Sequence, residues 1–306
     1  VILALRALGV GDLLTAVPAL RGLRGAFEGH TLALGAPTWL TPLISLIGGV
    51  DRIVPVDGLG PAALPAATLA VNLHGSGPES HRLLRTASPD RLWAFACPAA
   101  GHLDGPAWDE EDHEVQRWCR MLSHYDVAAD PSDLTLRPPA AAEADVSIIH
   151  PGAKSPSRRW PVERYAAVAG RLRADGHRVL ITGSDRERDL AVRVATRAGL
   201  DESAVPRTDL GELAALVARA RVVISGDTGI AHLATAYRTP SVVLFGPMSP
   251  ARWGPPARPQ HRAIWHGTRS EPGDSPGPRV HPALLAIEPD EVLAAAREVT
   301  GATAAL

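Results

Sequence analysis

RVVISGDTGIAHLATA, residues 221–236, sets the reading of the whole chain. The apolar run before Gly226 has the look of a strand buried on both faces, and it passes into a helical pattern with almost no loop between. At such a turn the first helical N–H groups lack intrahelical acceptors and the positive helix end stands behind them, which suits phosphate oxygens. Asp227, Thr228 and Gly229 form the turn, and His232, about one turn further on, reaches the same side. On pattern alone an ordinary helix cap explains Asp227 and Thr228 equally well, because both are common N-cap residues.

Working outward, the same alternation recurs in both directions. Downstream of residue 145, VSIIHPG, HRVLITGS and TPSVVLFGP read as further strands, and VERYAAVAGRLRADG, ERDLAVRVATRAG and LGELAALVARA as helices. Upstream, VILAL (1–5), TLALGAP (31–37), DRIVPVDG (51–58) and LAVNLHG (69–75) read as strands. A helix is expected over Asp12 to Leu23 and another over WLTPLISLIGG, closed by glycine. From Arg82 to Tyr125 the pattern is helical but interrupted, with DEED at 109–112 as a solvated helix start. The segment DLTLRPPAAAEAD, 133–145, reads as an interdomain linker, and the proline-rich stretch 250–282 as irregular surface. IEPDEVLAAAREVTG, 287–301, closes the chain as an amphipathic helix. The expectation is an α/β protein with two doubly wound, Rossmann-like domains facing one another: 1–140, 141–286 and a C-terminal helix 287–306. Ligands of such sheets bind beyond the carboxyl ends of the strands, so the loops after residues 8, 74, 150, 183, 225 and 245 should line the cleft.

Composition narrows the function. The 306 residues are 45% hydrophobic and 21% charged, as in globular proteins. Cys97 and Cys119 have no C-x-x-C spacing, and no apolar stretch is long enough to span a bilayer, so a cytoplasmic protein is expected, with room only for a peripheral membrane contact. His81, His102, His113 and His124 show no spacing with a third ligand, so no metal site is expected. No basic patch interleaved with aromatics suggests nucleic acid. Residues 1–140 hold 10 arginines against 15 acids, and the remainder 21 basic residues against 18 acids. The second half is therefore the better host for a phosphate-rich ligand.

Two further motifs carry chemistry. HPGAKSPSRRWP, 150–161, places Arg158 and Arg159 where a strand ends, able to neutralise a diphosphate leaving group. No Asp-x-Asp occurs in the chain, which favours a metal-free mechanism. GVGDLLTAVPAL, 9–20, has Gly9-x-Gly11 after the first strand but Leu14 where a dinucleotide fingerprint needs its third glycine, and this argues against NAD. Asp12 remains, a carboxylate at a helix start that can accept a hydroxyl proton or serve as an N-cap. Asn72 and His74, ending the fourth strand, are candidates for an acceptor side. Glu187 is a candidate for a ribose contact or a plain first-turn acid.

With these residues in hand, the chain resembles the ADP-heptose:lipopolysaccharide heptosyltransferases, glycosyltransferase family 9, through Gly11-Asp12…Pro18, HPGA…RRWP, ITGS, SGDTGIAHLATA and VVLFGP. The resemblance covers nearly the whole chain. It implies a GT-B fold and a metal-independent, inverting transfer of heptose from ADP-heptose, with no cofactor. It further implies Asp12 as general base, Arg6 near the acceptor or diphosphate, and Arg158 at the position of the family's phosphate-facing lysine. Asp227, Thr228, Gly229 and His232 would surround the ADP-sugar, with Glu187 at the ribose. The acceptor would be a glycan or, because the loop Asp57–Thr68 lacks a basic residue, a small neutral molecule. A sugar-nucleotide epimerase or hydrolase and a non-catalytic sugar-nucleotide sensor are the rival classes.

Overall fold

The computed structural model describes residues 1–139, 145–268 and 279–304. By internal packing the chain divides into two units, Val1–Arg137 and Pro138–Leu306. In the first unit the elements follow as β1 (Ile2–Leu5), α1 (Val10–Thr15), α2 (Val17–Ala26), β2 (Leu32–Ala36), α3 (Thr41–Ile47), β3 (Arg52–Pro55), β4 (Leu69–Asn72), α4 (Glu79–Arg85), β5 (Arg91–Trp93) and α5 (Glu114–His124). The sheet is parallel throughout and ordered β3-β2-β1-β4-β5. β1, β2 and β4 are buried along their whole length, which is why their sequences are continuous apolar runs rather than alternating ones.

The second unit runs β6 (Val146–His150), α6 (Val162–Ala174), β7 (Arg178–Ile181), α7 (Arg188–Arg197), α8 (Leu210–Ala218), β8 (Val222–Gly226), α9 (Gly229–Ala236), β9 (Ser241–Leu244), α10 (Pro250–Trp253), β10 (His261–Ile264), α11 (Pro282–Leu285) and α12 (Pro289–Ala304). Its sheet, again parallel, is ordered β10-β9-β8-β6-β7. α12 packs on this unit, where Leu284, Ile287, Val292 and Val299 join the core built from Ile149, Tyr165, Ile181, Ile224 and Leu244.

Strand order fixes where ligands can bind. In the first unit successive connections reverse direction between β1 and β4, in the second between β6 and β8, and each reversal opens a crevice beyond the strand ends. Register places Leu5 beside Asn72 and His150 beside Ser225. Residues just after these four therefore flank the two crevices, and Arg6, His74 and Asp227 are among them.

Several local expectations are corrected. The helix expected over Asp12–Leu23 is broken: Ala16 ends α1 and starts α2, with Pro18 in the opening turn of α2. Proline cannot supply an N–H to the preceding turn, so a continuous helix is interrupted there. DEED precedes α5 rather than starting it. His113 is the N-cap, its Nδ1 accepting from Val115 N–H at 3.3 Å, and Asp112 accepts from Arg120 Nε at 2.9 Å. Two strands escaped the sequence reading, β5 and β10, which lie at sheet edges and are only partly buried. An edge strand lacks the continuous apolar run that marks its buried neighbours.

The linker reading is also only partly right. Residues 133–137 are bound into the first unit, since Arg21 pairs with Asp133 and donates to Thr135 O at 2.7 Å while Leu136 is buried. Residues 140–144 of that segment and 269–278 of the proline-rich stretch lie outside the described residues.

Candidate active site

In the second unit, the 221–236 segment folds as β8, a two-residue turn and α9. Thr228 occupies the N-cap position with extended backbone, yet no side chain caps the helix. Its hydroxyl is buried without a hydrogen-bond partner. The plain-cap explanation therefore fails for Thr228, and a buried donor is left in a place where the helix start favours anions. Asp227 is also not a cap. Its carboxylate, nearly buried, accepts from Arg158 Nη2 at 2.7 Å, and the same nitrogen makes a short contact with Asp227 O. Arg158 ends a 3-10 turn after β6, so this pair ties the RRWP loop to the β8–α9 turn. Gly229 opens α9, and His232 lies edge-on to Trp253 with ring centroids 5.9 Å apart.

Glu187 belongs to the same strand-end surface. It ends the turn after β7, where its carboxylate accepts from Ser184 N–H at 3.0 Å and Ser184 Oγ–H at 2.7 Å. Burial pushes this carboxyl up, but Ser184 and the nearby charge of Arg159 more than offset that and hold it below the usual carboxylate range. A β-carbon at Gly152 would stand 2.3 Å from Glu187 Oε1, so the HPG loop lies directly against this carboxylate and a larger residue would displace the Glu187 side chain. His150, partly buried and hydrogen-bonded to Thr182 Oγ1 at 3.0 Å, has its pKa lowered by desolvation. His150 was not singled out as a site residue from sequence, although HPGAKSPSRRWP contains it beside the Arg158 and Arg159 cations that were.

In the first unit, Asp12 is not the N-cap of α1. Gly9 holds that place, and Asp12 sits at the third helical position, where its Oδ2 accepts from Gly9 N–H at 3.2 Å. Its side chain is 30% exposed, so it remains reachable. Gly11 lies one position earlier in the same turn, partly buried. His74 accepts from Ala7 N–H through Nδ1 at 3.3 Å, which leaves Nε2 as the donor of a neutral ring. Burial and the Arg6 charge lower its pKa to about 4.

Arg6 and Asn72 stand behind this surface rather than on it. Arg6 is 1% exposed; its guanidinium donates to Asp12 O at 2.8 Å, Leu73 O at 2.6 Å, Thr15 Oγ1 at 3.2 Å and Glu114 Oε1 at 2.8 Å. At 1% exposure the guanidinium lies beneath the surface. Asn72, also fully buried, donates to Gly75 O and Ser80 Oγ, both at 3.0 Å, and accepts from His74 N–H at 3.0 Å. It shapes the turn that presents His74. Sequence alone could not separate these two from surface residues, because the strand-end position is shared and only the packing of α4 and α5 covers them.

Among the described residues, no cluster of three His, Cys, Asp or Glu side chains could hold a metal, and no helix is long and apolar enough to cross a membrane.

Two parallel α/β units with polar groups gathered at their strand-order reversals are the architecture of the GT-B type, and comparison with known structures agrees. The model of glycosyltransferase family 9 (heptosyltransferase) matches residues 105–275, more than half of the chain, and the chain belongs to that family. Lipopolysaccharide heptosyltransferase 2 of Salmonella typhimurium is 24% identical, over 93% of this chain and 94% of its own. Among solved structures, the E. coli ADP-heptose LPS heptosyltransferase II superposes with a TM-score of 0.77 at 20% identity, covering 99% of both chains. An E. coli heptosyltransferase with ADP superposes with a TM-score of 0.67 at 19% identity, covering 86% of this chain and 92% of that one.

Proposed function

We propose that the chain moves a heptose from ADP-heptose to an acceptor hydroxyl, with inversion at the anomeric carbon and without a metal ion. The donor is supported by relatives described by that substrate or solved with ADP. The observation that carries the reading is the β8–α9 turn, where a buried, unpartnered Thr228 hydroxyl and the Arg158–Asp227 pair meet a helix start.

In this scheme the second unit takes the donor. Thr228 and the first N–H groups of α9, through Gly229, receive diphosphate oxygens; Arg158 offsets their charge; His232 flanks them; and Glu187 takes ribose hydroxyls. The first unit takes the acceptor. Asp12 accepts the proton of the attacking hydroxyl as its oxygen bonds to the anomeric carbon, the bond from that carbon to the diphosphate oxygen breaks, and ADP leaves with the electron pair. His74, neutral with Nε2–H available, orients the acceptor. Gly11 keeps the turn beside Asp12 free of a side chain.

The test is to incubate the protein with ADP-heptose and sugar acceptors in excess EDTA, following ADP release and the anomeric configuration of the product by NMR. Inverted glycoside in EDTA is the expected result. Loss of transfer in EDTA with recovery on adding a divalent ion would overturn metal independence, and breakdown or epimerisation of ADP-heptose without acceptor would favour the hydrolase or epimerase class.

A neutral acceptor is favoured over an anionic one. Residues 57–68 after β3 contain no basic side chain, and residues 1–140 hold 10 arginines against 15 acids. Matched glycans with and without phosphate decide the point: preference for the phosphorylated member would reverse this reading.

A further inference from the structure

Glu114 is a buried carboxylate that the proposed transfer does not use. It lies in the first turn of α5, is 4% exposed, and reaches a residue 108 positions away in the chain. Its Oε1 accepts from Arg6 Nη2 at 2.8 Å and from the Trp118 indole at 3.0 Å, while Oε2 forms a short ion pair with Arg117. The Arg6 guanidinium also packs over the Trp118 ring, 4.7 Å from its centroid. The nitrogen held by Glu114 is the one that faces Asp12, and it stays 3.5 Å from Asp12 Oδ1. Arg6 thus stands between two carboxylates, the inner one at hydrogen-bond distance and the outer one beyond it.

We propose that Glu114 is a positioning residue that holds the Arg6 guanidinium back from the Asp12 carboxylate, so that Asp12 keeps the basicity needed to take a hydroxyl proton. The inference rests on the general-base reading of Asp12. A carboxylate fully paired with arginine is a poor proton acceptor, because the cation stabilises its charged form. A partner on the far side of the same guanidinium limits that pairing. The negative charge of Glu114 acts in the same direction by opposing a second negative charge nearby. The charged and titratable groups around this point are Arg6 after β1, His74 after β4, and Glu114 and Arg117 on α5. His74, its pKa lowered to about 4, is neutral near pH 7 and there leaves Arg6 as the cation that Asp12 meets.

The test is a carbon-13 NMR titration of the full chain labelled at aspartate carboxyls, with the Asp12 signal identified by its loss in Asp12→Asn. In Glu114→Gln the midpoint of that signal should move to lower pH by on the order of one unit, a tenfold change in proton affinity. Glu114→Asp should restore most of the shift. Because Glu114→Gln leaves two buried arginines without an internal carboxylate, it can fail to fold. Thr15→Val then decides, since it removes a second acceptor of Arg6 Nη2 without removing a charge, and should give a smaller shift of the same sign. An unmoved Asp12 midpoint in whichever of these variants folds would overturn the proposal. If the midpoint moves as expected but Asp12→Asn retains turnover with ADP-heptose, the positioning stands and the base assignment falls.

Discussion

The two units share a parallel five-stranded sheet but prepare their ligand surfaces in different ways. In the first, the strand-order reversal between β1 and β4 is filled from behind by charged side chains: Arg6, Glu114 and Arg117 are buried there, and only Asp12 and His74 come forward. In the second, the reversal between β6 and β8 presents backbone and small groups: a helix start, the Thr228 hydroxyl, and Arg158 leaning on Asp227. On the proposed function, the first surface tunes one proton acceptor and the second receives charge. A proton acceptor needs a controlled electrostatic setting, whereas a diphosphate needs donors already aimed at it.

The largest test of this contrast is Asp12→Asn. Turnover with ADP-heptose should fall by roughly 10²- to 10⁴-fold. The thermal shift produced by ADP-heptose should persist, because the groups proposed for the donor lie in the other unit. A parallel loss of both would show that the division of labour is wrong. Next, Arg158→Met should weaken ADP binding by roughly ten- to a hundredfold, read by calorimetric titration, as expected for loss of a charge-assisted contact. It should also lower the melting temperature, since the nearly buried Asp227 would lose the Arg158 guanidinium. Thr228→Val should weaken ADP binding by about three- to tenfold. Its melting temperature should be unchanged or raised, because the hydroxyl has no partner within the protein. A clear drop in stability would mean that Thr228 serves the fold and not a ligand.

The smallest effect concerns pH. His74, with its pKa lowered from 6.5 to about 4, is buried in its neutral form, so below pH 6.5 the unfolded chain takes up a proton that the folded one refuses. Stability should therefore decline as pH falls from about 6.5 to 4 and level off below. His261, lowered to about 4 by burial and Arg258, adds to the same window. His74→Gln should make the melting temperature less steep across it, measured by calorimetry at matched ionic strength. An unchanged slope would remove His74 from the buried, neutral set.

The comparison also separates what was legible in the sequence from what was not. The β8–α9 turn was readable because its parts are local: strand, Gly226-Asp227-Thr228-Gly229 and helix are continuous in the chain, and a turn of this kind dictates where its N–H groups point. The place of Asp12 in the first helical turn after β1 was readable for the same reason. Arg6 and Asn72 were placed correctly at strand ends yet are buried. Whether such a residue faces solvent depends on what packs over it, and α5, which covers Arg6, comes more than a hundred residues later. Glu114 gave no signal at all: beside DEED it looks like one more acid in a solvated run.

By itself the sequence determined the strand and helix alternation of both halves apart from the edge strands β5 and β10, the parallel character of their sheets, and the helix-start turn at 226–229, all of which follow from periodicity within some twenty residues. It also determined the family, whose spaced motifs survive where overall identity is low. Tertiary structure alone decided the two strand orders, the burial of Arg6 and Asn72, and the meeting of Arg158 with Asp227 and of Arg6 with Glu114. Those depend on contacts 69 and 108 residues apart, and no local preference of either partner encodes them. They arise only when the apolar faces of separate elements are buried together and carry their polar side chains into reach.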